Sequence, residues 1–163
     1  MAISYSSFFT LKLLTAIGCG LNAGVFFAFS TFVMPALARL QPSQGIAAMQ
    51  SMNITAITPL FMIALLGTAL ACLFLAVSAL FRWHQPGSAY LLVGSLLYLI
   101  GAIGVTIACN VPLNDALAIA QPESSEGAKL WANYLTNWTV WNHVRTVAAI
   151  AATTLLTLAL TID

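Results

Sequence analysis

The residues best suited to chemistry lie on one helical face near the end of the chain. Trp138, Asn142 and Arg145 are spaced i, i+4 and i+7, so in a helix they project from the same side. An arginine inside an apolar stretch is costly and generally faces a bundle interior or a wet cavity. The alternative is that Arg145 snorkels to a membrane interface, which its position near the start of the stretch permits.

His143 is the one histidine within this apolar stretch. A lone histidine in such surroundings can act as a base, ligate a metal or make a structural hydrogen bond. In a helix of about 3.6 residues per turn it lies about 100° from Asn142 and about 200° from Arg145. His143 and Arg145 therefore cannot both face the middle of a bundle unless the helix is locally distorted.

Asparagines occur in apolar surroundings at four other positions, which are Asn22, Asn53, Asn110 and Asn114. Asn110 and Asn114 flank Pro112, and we expect this proline to stop a helix there. The two asparagines then either cap the freed carbonyl groups or line a site. Asn22 is placed to hydrogen-bond a neighbouring helix or to line the floor of a cavity.

The composition defines the environment of these side chains. Of the 163 residues, 61% are hydrophobic and 6% are charged, whereas about a quarter are charged in soluble domains. So few charges cannot cover the surface of a water-soluble globule. A net charge of +1 also gives no basic surface that could bind the phosphates of a nucleic acid. The composition predicts an integral membrane protein and excludes a disordered chain and a secreted disulfide scaffold.

Long uncharged stretches predict four transmembrane helices, because one span needs about 20 apolar residues. The predicted spans cover residues 13–38, 54–81, 88–110 and 140–162. A helical pattern begins at about Glu126, which predicts a fourth helix that extends beyond the membrane. The predicted fold is all-α, a transmembrane four-helix bundle that forms a single membrane domain over residues 1–163.

Four spans place both termini on one side of the membrane. That side carries Lys12 and Arg82 besides the terminal amine, whereas Arg39 and Lys129 lie among three acids on the other. The count of positive charges therefore favours cytoplasmic termini. Most of the polar candidates lie near the opposite face: Asn53, Asn110, Asn114, Asn142, His143 and Arg145. Since independent helix caps would scatter over both faces, we expect a pocket that opens on the side opposite the termini.

The cysteines and histidines limit the cofactors that one subunit could hold. Cys19, Cys72 and Cys109 lie in apolar spans without CxxC spacing, so they are predicted to be small buried hydrophobes. His84 and His143 are predicted on opposite sides of the membrane, which argues against a bis-histidine haem or a three-histidine metal site. Haem ligation by a single histidine stays open.

Two short motifs combine the candidate residues. The first reads Asn110-Val111-Pro112-Leu113-Asn114, and the second reads Trp138-x-x-Trp141-Asn142-His143-x-Arg145-Thr146. Together they resemble the anthrone oxygenase-like family of small four-span membrane proteins, most of which have no assigned substrate. Characterised members oxidise anthrones to anthraquinones, so the resemblance implies a membrane-embedded, oxygenase-like protein that acts on a lipophilic aromatic molecule of the anthrone type.

The resemblance also suggests a mechanism, because an anthrone is a carbon acid whose enolate can reduce dioxygen without a metal or cofactor. On this hypothesis His143 is the base, while Arg145 and the asparagines stabilise the enolate oxygen. Trp138 or Trp141 forms the wall of an aromatic slot. The candidate substrate-binding residues are Asn22, Asn53, Asn110, Asn114, Trp138, Trp141 and Asn142. A lipid-soluble tricyclic substrate would account for an enzyme that resides in the bilayer.

Two alternatives stay open from the sequence. The first is a non-catalytic membrane module that binds a small molecule or lipid, or an accessory subunit that packs through the small-residue face of Gly20 and Gly24. It predicts no turnover, and a homo-oligomer or complex in mild detergent. The second is a haem protein, which would show a Soret band.

Overall fold

The computed structural model describes residues 5–162, with side chains from residue 6 onward, and this part of the chain is helical without strands. Within it, α1 comprises Tyr5–Ala28, Phe29–Val33 and Met34–Leu37, and α2 is Pro42–Thr55. α3 comprises Pro59–Met62, Ile63–Gly67 and Thr68–Phe81, α4 runs over Ser88–Ala118, and α5 is Ser125–Thr161. We call the side of the bundle opposite the termini its outer end.

Four of the described helices, α1, α3, α4 and α5, are long and apolar enough to cross a membrane. α2 is a shorter helix that connects α1 to α3 at the outer end. With 37 residues, α5 measures about 55 Å, well beyond a hydrocarbon core of about 30 Å. The predicted transmembrane four-helix bundle with an extended fourth helix is therefore confirmed.

Large apolar side chains cover the outside of the bundle. Leu70 of α3, Ile100 of α4 and Val147 of α5 are 68%, 66% and 67% exposed, respectively. Soluble monomers rarely expose extensive apolar patches, whereas a lipid-facing surface is built of such side chains. The chain is a multi-pass integral membrane protein.

The second membrane helix begins later than predicted. Residues 54 and 55 belong to α2, which ends at Thr55, and α3 begins at Pro59. Thr58 is extended, as the residue before a proline prefers, and its hydroxyl accepts a hydrogen bond from the Phe61 amide. Because these features interrupt the helix, Asn53 is carried by α2 and not by α3.

The expectation that Pro112 stops the third helix is wrong. α4 continues through this proline to Ala118, with Leu117 fully buried. A π-helical turn, Thr106–Asn110, precedes the proline, which lies in the first turn of the following α segment. A proline is tolerated inside a membrane helix where a local π turn accommodates the backbone carbonyl that loses its N–H partner. The predicted end at residue 110 marks a change of helix type instead.

Of the membrane helices, α1 and α4 pack against α5, whose inner face within the membrane is rich in small residues. Ala149, Ala152 and Ala159 are fully buried. Gly101 of α4 lies so close to Ala148 that an added Cβ would overlap the alanine side chain. Small facing residues let helix backbones approach closely, as is common in membrane bundles.

A second apolar cluster closes the outer end of the bundle under α2. Its buried members come from four helices: Met34, Leu37, Ile46, Met49, Leu117, Trp131, Tyr134 and Trp138. Gln50 of α2 donates to the carbonyl oxygens of Leu117 and Ala120 at 2.8 and 3.0 Å. Gly45 packs α2 onto Trp131, where an added Cβ would lie 2.7 Å from the indole. α2 is therefore fixed as a cover over the region where the polar candidates lie.

Candidate functional site

Asn142 joins α5 to α1 in the interior of the bundle. Its Nδ2 donates to the Phe26 carbonyl oxygen at 2.7 Å and to Ser30 Oγ at 2.8 Å. Its Oδ1 accepts a hydrogen bond from Arg145 Nη1 at 3.3 Å. Asn142 is fully buried, so both ends of its amide are satisfied by protein groups. The amide thereby orients the Arg145 guanidinium relative to α1.

Arg145 lies inside the bundle and is 7% exposed. Its Cζ is 3.9 Å from the centroid of the Phe26 ring, a cation–π contact. Its Nε is buried without a hydrogen-bond partner, and no carboxylate pairs with it among residues 6–162. The alternative that Arg145 snorkels to the interface is therefore wrong. The site contains a buried positive charge that lacks a counter-ion within the described part of the chain.

Two buried tyrosines lie within electrostatic range of Arg145, one on each side along the bundle axis. Tyr134 of α5 lies toward the outer end, and Tyr98 of α4 lies deeper. The Tyr98 hydroxyl donates to the Leu65 carbonyl oxygen of α3 at 3.2 Å. The polar interior around Arg145 thus extends toward both ends of the bundle.

A stack of aromatic rings leads from the outer end into the bundle. Trp131, Tyr134 and Trp138 stack with centroid separations of 5.6 and 5.9 Å. Phe29 of α1 lies against Trp138 with its ring tilted, at a centroid distance of 5.7 Å. Asn114 Oδ1 accepts hydrogen bonds from the Tyr134 hydroxyl and from Trp138 Nε1, both at 2.8 Å. Asn114 therefore fixes two rings of the stack.

Asn110 makes a contact between helices and does not cap one. Its Nδ2 donates across the bundle to the Trp138 carbonyl oxygen at 3.2 Å. No side-chain capping bond is formed at this position, so the capping alternative is wrong. The Asn110 Oδ1 is buried without a hydrogen-bond partner. An unpaired buried acceptor of this kind is rare in folded proteins, and a ligand donor or a water molecule can satisfy it.

The remaining two asparagines lie at the edges of the cluster. Asn53 of α2 contacts the Tyr134 hydroxyl at the outer end. Asn22 lies deeper in α1, where its Nδ2 donates to the carbonyl oxygens of Gly18 at 2.8 Å and Ala64 at 3.1 Å. The predicted interhelical hydrogen bond of Asn22 is confirmed, and its partner helix is α3.

π-helical turns occur in the three other membrane helices, α1, α3 and α4. They are Phe29–Val33 in α1, Ile63–Gly67 in α3, and Leu97–Gly104 and Thr106–Asn110 in α4. In the α3 turn, Ala64 O accepts from Asn22 and Leu65 O accepts from Tyr98. Such turns are rare and are frequent at functional sites. Several hydrogen bonds between helices therefore involve residues of these π-helical turns, among them Ser30, Ala64, Leu65 and Asn110.

His143 and Trp141 do not join the cluster. His143 is exposed on the outside of α5, as its angle of about 200° from Arg145 leads one to expect. Trp141 is 39% exposed on the outside as well. The structure thus brings together Asn110, Asn114, Trp138, Asn142 and Arg145, with Asn53 and Asn22 at the edges.

The sequence-based reasoning missed three contributors to the cluster. Phe26 and Ser30 of α1 contact the α5 pair, and Tyr134 completes the aromatic stack. Tyr134 lies four residues before Trp138 on the same helical face, which was a usable signal. Ser30 shares a face of α1 with Asn22 and could also have been found. Phe26 is one apolar residue among many and gave no signal.

Two cavities lie away from Arg145. One of about 420 Å³ lies at the outer end, lined by residues 41–43, 122–125 and 128. The other, of about 300 Å³, is an apolar groove between α1 and α5, lined by residues 20, 23, 24, 27, 150, 153 and 154. Neither is lined by Arg145 or by the asparagines. Asn110, Asn142 and Arg145 are 1%, 0% and 7% exposed, so a ligand reaches this cluster only when side chains or helices move.

The described residues offer few ligands for a metal or haem. They contain no group of three or more His, Cys, Asp or Glu side chains that could hold a metal ion. His84 lies in the loop between α3 and α4, on the side of the termini, whereas His143 lies on α5. The two histidines are too far apart along the bundle to ligate one haem.

These features define a class of protein, a small four-span helical membrane protein with a buried arginine, asparagines and stacked aromatic rings toward one face. The model of the anthrone oxygenase family matches residues 58–155, which cover α3, α4 and most of α5. The chain therefore belongs to the anthrone oxygenase family, and the resemblance of its two motifs is confirmed. No curated protein and no solved structure matches the chain.

Proposed function

We propose that this protein is a membrane-embedded oxygenase that oxidises a lipophilic aromatic carbon acid of the anthrone type with dioxygen. The observation that carries the proposal is the buried Arg145 guanidinium, which has no carboxylate partner among the described residues. Charged side chains inside a membrane bundle are costly and almost always paired. A buried cation without a counter-ion is suited to bind an anion inside the bundle.

The anion that fits these surroundings is an enolate oxygen on an apolar ring system. Deprotonation of an anthrone-type carbon places negative charge on the carbonyl oxygen, and the Arg145 Nε is a donor without a protein partner. Donors aimed in advance at a developing oxyanion are typically the largest contribution to such catalysis. Asn142 holds the guanidinium through Nη1, so little reorganisation is needed when the charge develops.

The reaction balances without a metal or an organic cofactor. The substrate CH₂ group loses a proton to water, and the resulting enolate gives one electron to dioxygen. The carbon radical and superoxide then couple and take up a proton, which yields a hydroperoxide at that carbon. Loss of water leaves the new carbonyl group of the quinone. One dioxygen molecule is consumed per quinone, and its two oxygen atoms end in the quinone and in water.

Aromatic side chains supply the surface for a flat substrate. Phe26 lies against Arg145, and Phe29 lies against Trp138, one helical turn before Asn142. Aromatic rings favour offset stacking or edge-to-face contacts. Asn114 fixes the Trp138 indole, which would keep this wall rigid. A tricyclic aromatic molecule dissolves in lipid, so it can approach the bundle from the bilayer.

His143 has no part in this mechanism. Its side chain is exposed on the outside of α5, on the opposite side of the helix from Arg145. A base at that position cannot reach a substrate whose oxygen contacts the guanidinium. Arg145 promotes loss of the proton by stabilising the enolate, and water accepts the proton.

Non-catalytic binding of an anionic lipophilic molecule is the second candidate function. The observation in its favour is that Asn110, Asn142 and Arg145 are buried. A binding protein would open only to admit its ligand, and Arg145 would then pair with a carboxylate or phenolate. This function predicts ligand binding without consumption of dioxygen.

We also infer that both termini lie in the cytoplasm, which places the Arg145 cluster toward the opposite face. The support is an excess of one positive charge on the side of the termini. Single cysteines at Gln85 and Glu123, in a variant without the native cysteines, can be labelled in intact cells with an impermeant maleimide. We expect labelling at position 123 only, and labelling at position 85 only would reverse the orientation.

Oxygen uptake by the purified protein in lipid nanodiscs tests the proposed function. With anthrone as substrate, we expect uptake above that of empty nanodiscs, with one anthraquinone formed per dioxygen consumed. Empty nanodiscs are the control for uncatalysed autoxidation of anthrone. Saturable binding of anthrone without added uptake would support the second candidate function, and absence of both would reject the two together.

A further inference from the structure

One edge of the Arg145 guanidinium carries N–H groups that have no partner among residues 6–162. The hydrogen bond that Arg145 makes within this part of the chain runs from Nη1 to Asn142 Oδ1 at 3.3 Å. Nε is buried without a partner. Because the guanidinium is planar and rigid, the N–H groups of Nε and Nη2 point in the same direction. We call this pair of parallel donors the Arg145 fork.

The neighbours of Arg145 fix the direction of the fork. The Phe26 ring covers one face of the guanidinium, with 3.9 Å between its centroid and Cζ. Asn142 holds Nη1 and is itself bound to α1, since its Nδ2 donates to the Phe26 carbonyl oxygen at 2.7 Å and to Ser30 Oγ at 2.8 Å. An oxygen ligand that hydrogen-bonds to the free donors therefore lies in the plane of the guanidinium, beside the fork.

We propose that the Arg145 fork binds the carboxylate of a lipophilic aromatic acid, and that such an acid competes with the anthrone-type substrate. The competition rests on the proposed function, whereas the binding requires no turnover. A carboxylate presents two coplanar oxygens, which match the two parallel N–H groups of an arginine. An enolate oxygen is a single acceptor and leaves one of these N–H groups unpaired. The free edge of Arg145 is thus better matched by a carboxylate than by a single oxygen.

A carboxylate also supplies the negative charge that the surroundings of Arg145 lack. The acidic side chains of residues 6–162 are Asp115, Glu123 and Glu126, and all three are exposed. Arg145 is 7% exposed, and buried charges are generally paired. A bound carboxylate would turn the buried cation into a neutral, hydrogen-bonded pair.

The aromatic part of the ligand follows from the side chains around the fork. Phe26 contacts the guanidinium, and Tyr98 and Tyr134 lie within electrostatic range of it. Aromatic rings favour offset stacking or edge-to-face contacts with one another. An aromatic acid partitions into the bilayer, and the movement of side chains or helices that admits the substrate would admit the acid.

Binding of 9-anthracenecarboxylate to the wild-type protein in nanodiscs tests the proposal. This fluorescent tricyclic acid is compared with 9-anthracenecarboxamide, which has the same shape but replaces one carboxylate oxygen with an NH₂ group. The amide directs a donor against the donors of the fork, so we expect the acid to bind more tightly by about tenfold or more. Empty nanodiscs correct for partition into lipid. Equal affinities for the two compounds, or no saturable binding of the acid, would overturn the proposal.

Replacement of Arg145 by lysine distinguishes the fork from a simple positive charge. Lysine retains the charge but lacks the planar pair of N–H groups, so Arg145→Lys should lose about tenfold or more in affinity for the acid. Arg39→Lys is the matched control, because Arg39 is exposed after α1, and it should bind the acid like the wild type. Wild-type affinity for the acid in folded Arg145→Lys would contradict the fork. If this variant does not fold, the comparison of acid and amide on the wild type decides.

Oxygen uptake separates this inference from the proposed function. Where anthrone is turned over, the acid should raise the KM for anthrone and leave kcat unchanged, because both molecules occupy Arg145. An unchanged KM at concentrations of acid that saturate the protein would overturn the shared site. Binding of the acid that depends on Arg145, without any turnover of anthrone, would reject the oxygenase and support the carboxylate site.

Discussion

The Arg145 guanidinium of α5 lies 3.9 Å from the centre of the Phe26 ring of α1. This contact sets a buried cation against the face of an aromatic ring, where a carboxylate would ordinarily lie. A carboxylate would occupy the N–H groups of the guanidinium, whereas a ring face stabilises the charge and leaves those donors free. The contact with Phe26 therefore explains how a charged Arg145 can be buried in the membrane bundle and still have N–H groups available for an anionic oxygen.

Replacement of Phe26 by leucine tests this pairing. Phe26→Leu keeps an apolar side chain but removes the ring face, so we expect a loss of about 1–2 kcal/mol in the free energy of unfolding. The measurement is unfolding by SDS titration of the protein in mixed micelles. Phe27→Leu is the matched control, because Phe27 is 53% exposed on the lipid side. Equal stability of the two variants would show that Phe26 contributes only apolar volume.

Replacement of His143 tests whether the exposed histidine acts as a base. Since its side chain lies outside the cluster, His143→Gln should retain the wild-type rate of anthrone-dependent oxygen uptake. A general base typically contributes a factor of about 10² to 10⁴. A loss of that size in His143→Gln, with the fold intact by circular dichroism, would return this residue to the mechanism and require a different arrangement of α5.

Replacement of Gly45 tests the cover that α2 forms over the cluster. A Cβ at position 45 would lie 2.7 Å from the Trp131 indole, so Gly45→Ala should lower the free energy of unfolding by about 1–3 kcal/mol. Gly24→Ala is the matched control, since no atom lies within 4 Å of its added Cβ. We expect the control to be neutral or slightly stabilising, because alanine favours helix. Thermal unfolding of the two variants and the wild type is followed by tryptophan fluorescence. A melting temperature of Gly45→Ala equal to that of the wild type would contradict the packing of α2 against Trp131.

Which side chains of α5 face the site could be predicted, because the helical period alone determines which residues share one face. The spacing of Trp138, Asn142 and Arg145 places them on one face, and the structure has all three buried. The same arithmetic separates His143 from Arg145 by about 200°, so its exposure also follows from the sequence. The four-helix fold follows from the lengths of the uncharged stretches.

The partners of this face could not be predicted, because they depend on which helices pack together and at what level. The pairing of Arg145 with Phe26 requires α1 to lie beside α5 in one register, and no pattern in the sequence specifies that register. The course of α4 beyond Pro112 escaped prediction for a different reason. Its π-helical turn changes the hydrogen-bond pattern ahead of the proline, and helix propensities do not report π turns.

The most direct test of the central claim is the rate of anthrone-dependent oxygen uptake by Arg145→Gln in nanodiscs, compared with Arg39→Gln. Both variants lose one guanidinium, but Arg39 is exposed in the loop after α1, so its replacement should leave the rate unchanged. Loss of one oxyanion donor lowers kcat by about 10² to 10³, and we expect a loss of that size in Arg145→Gln. Arg145→Lys, which retains a positive charge, should recover part of the rate and serves as a second variant if the glutamine variant does not fold. Uptake by folded Arg145→Gln at the rate of Arg39→Gln would contradict the assignment of Arg145 as the group that stabilises the enolate.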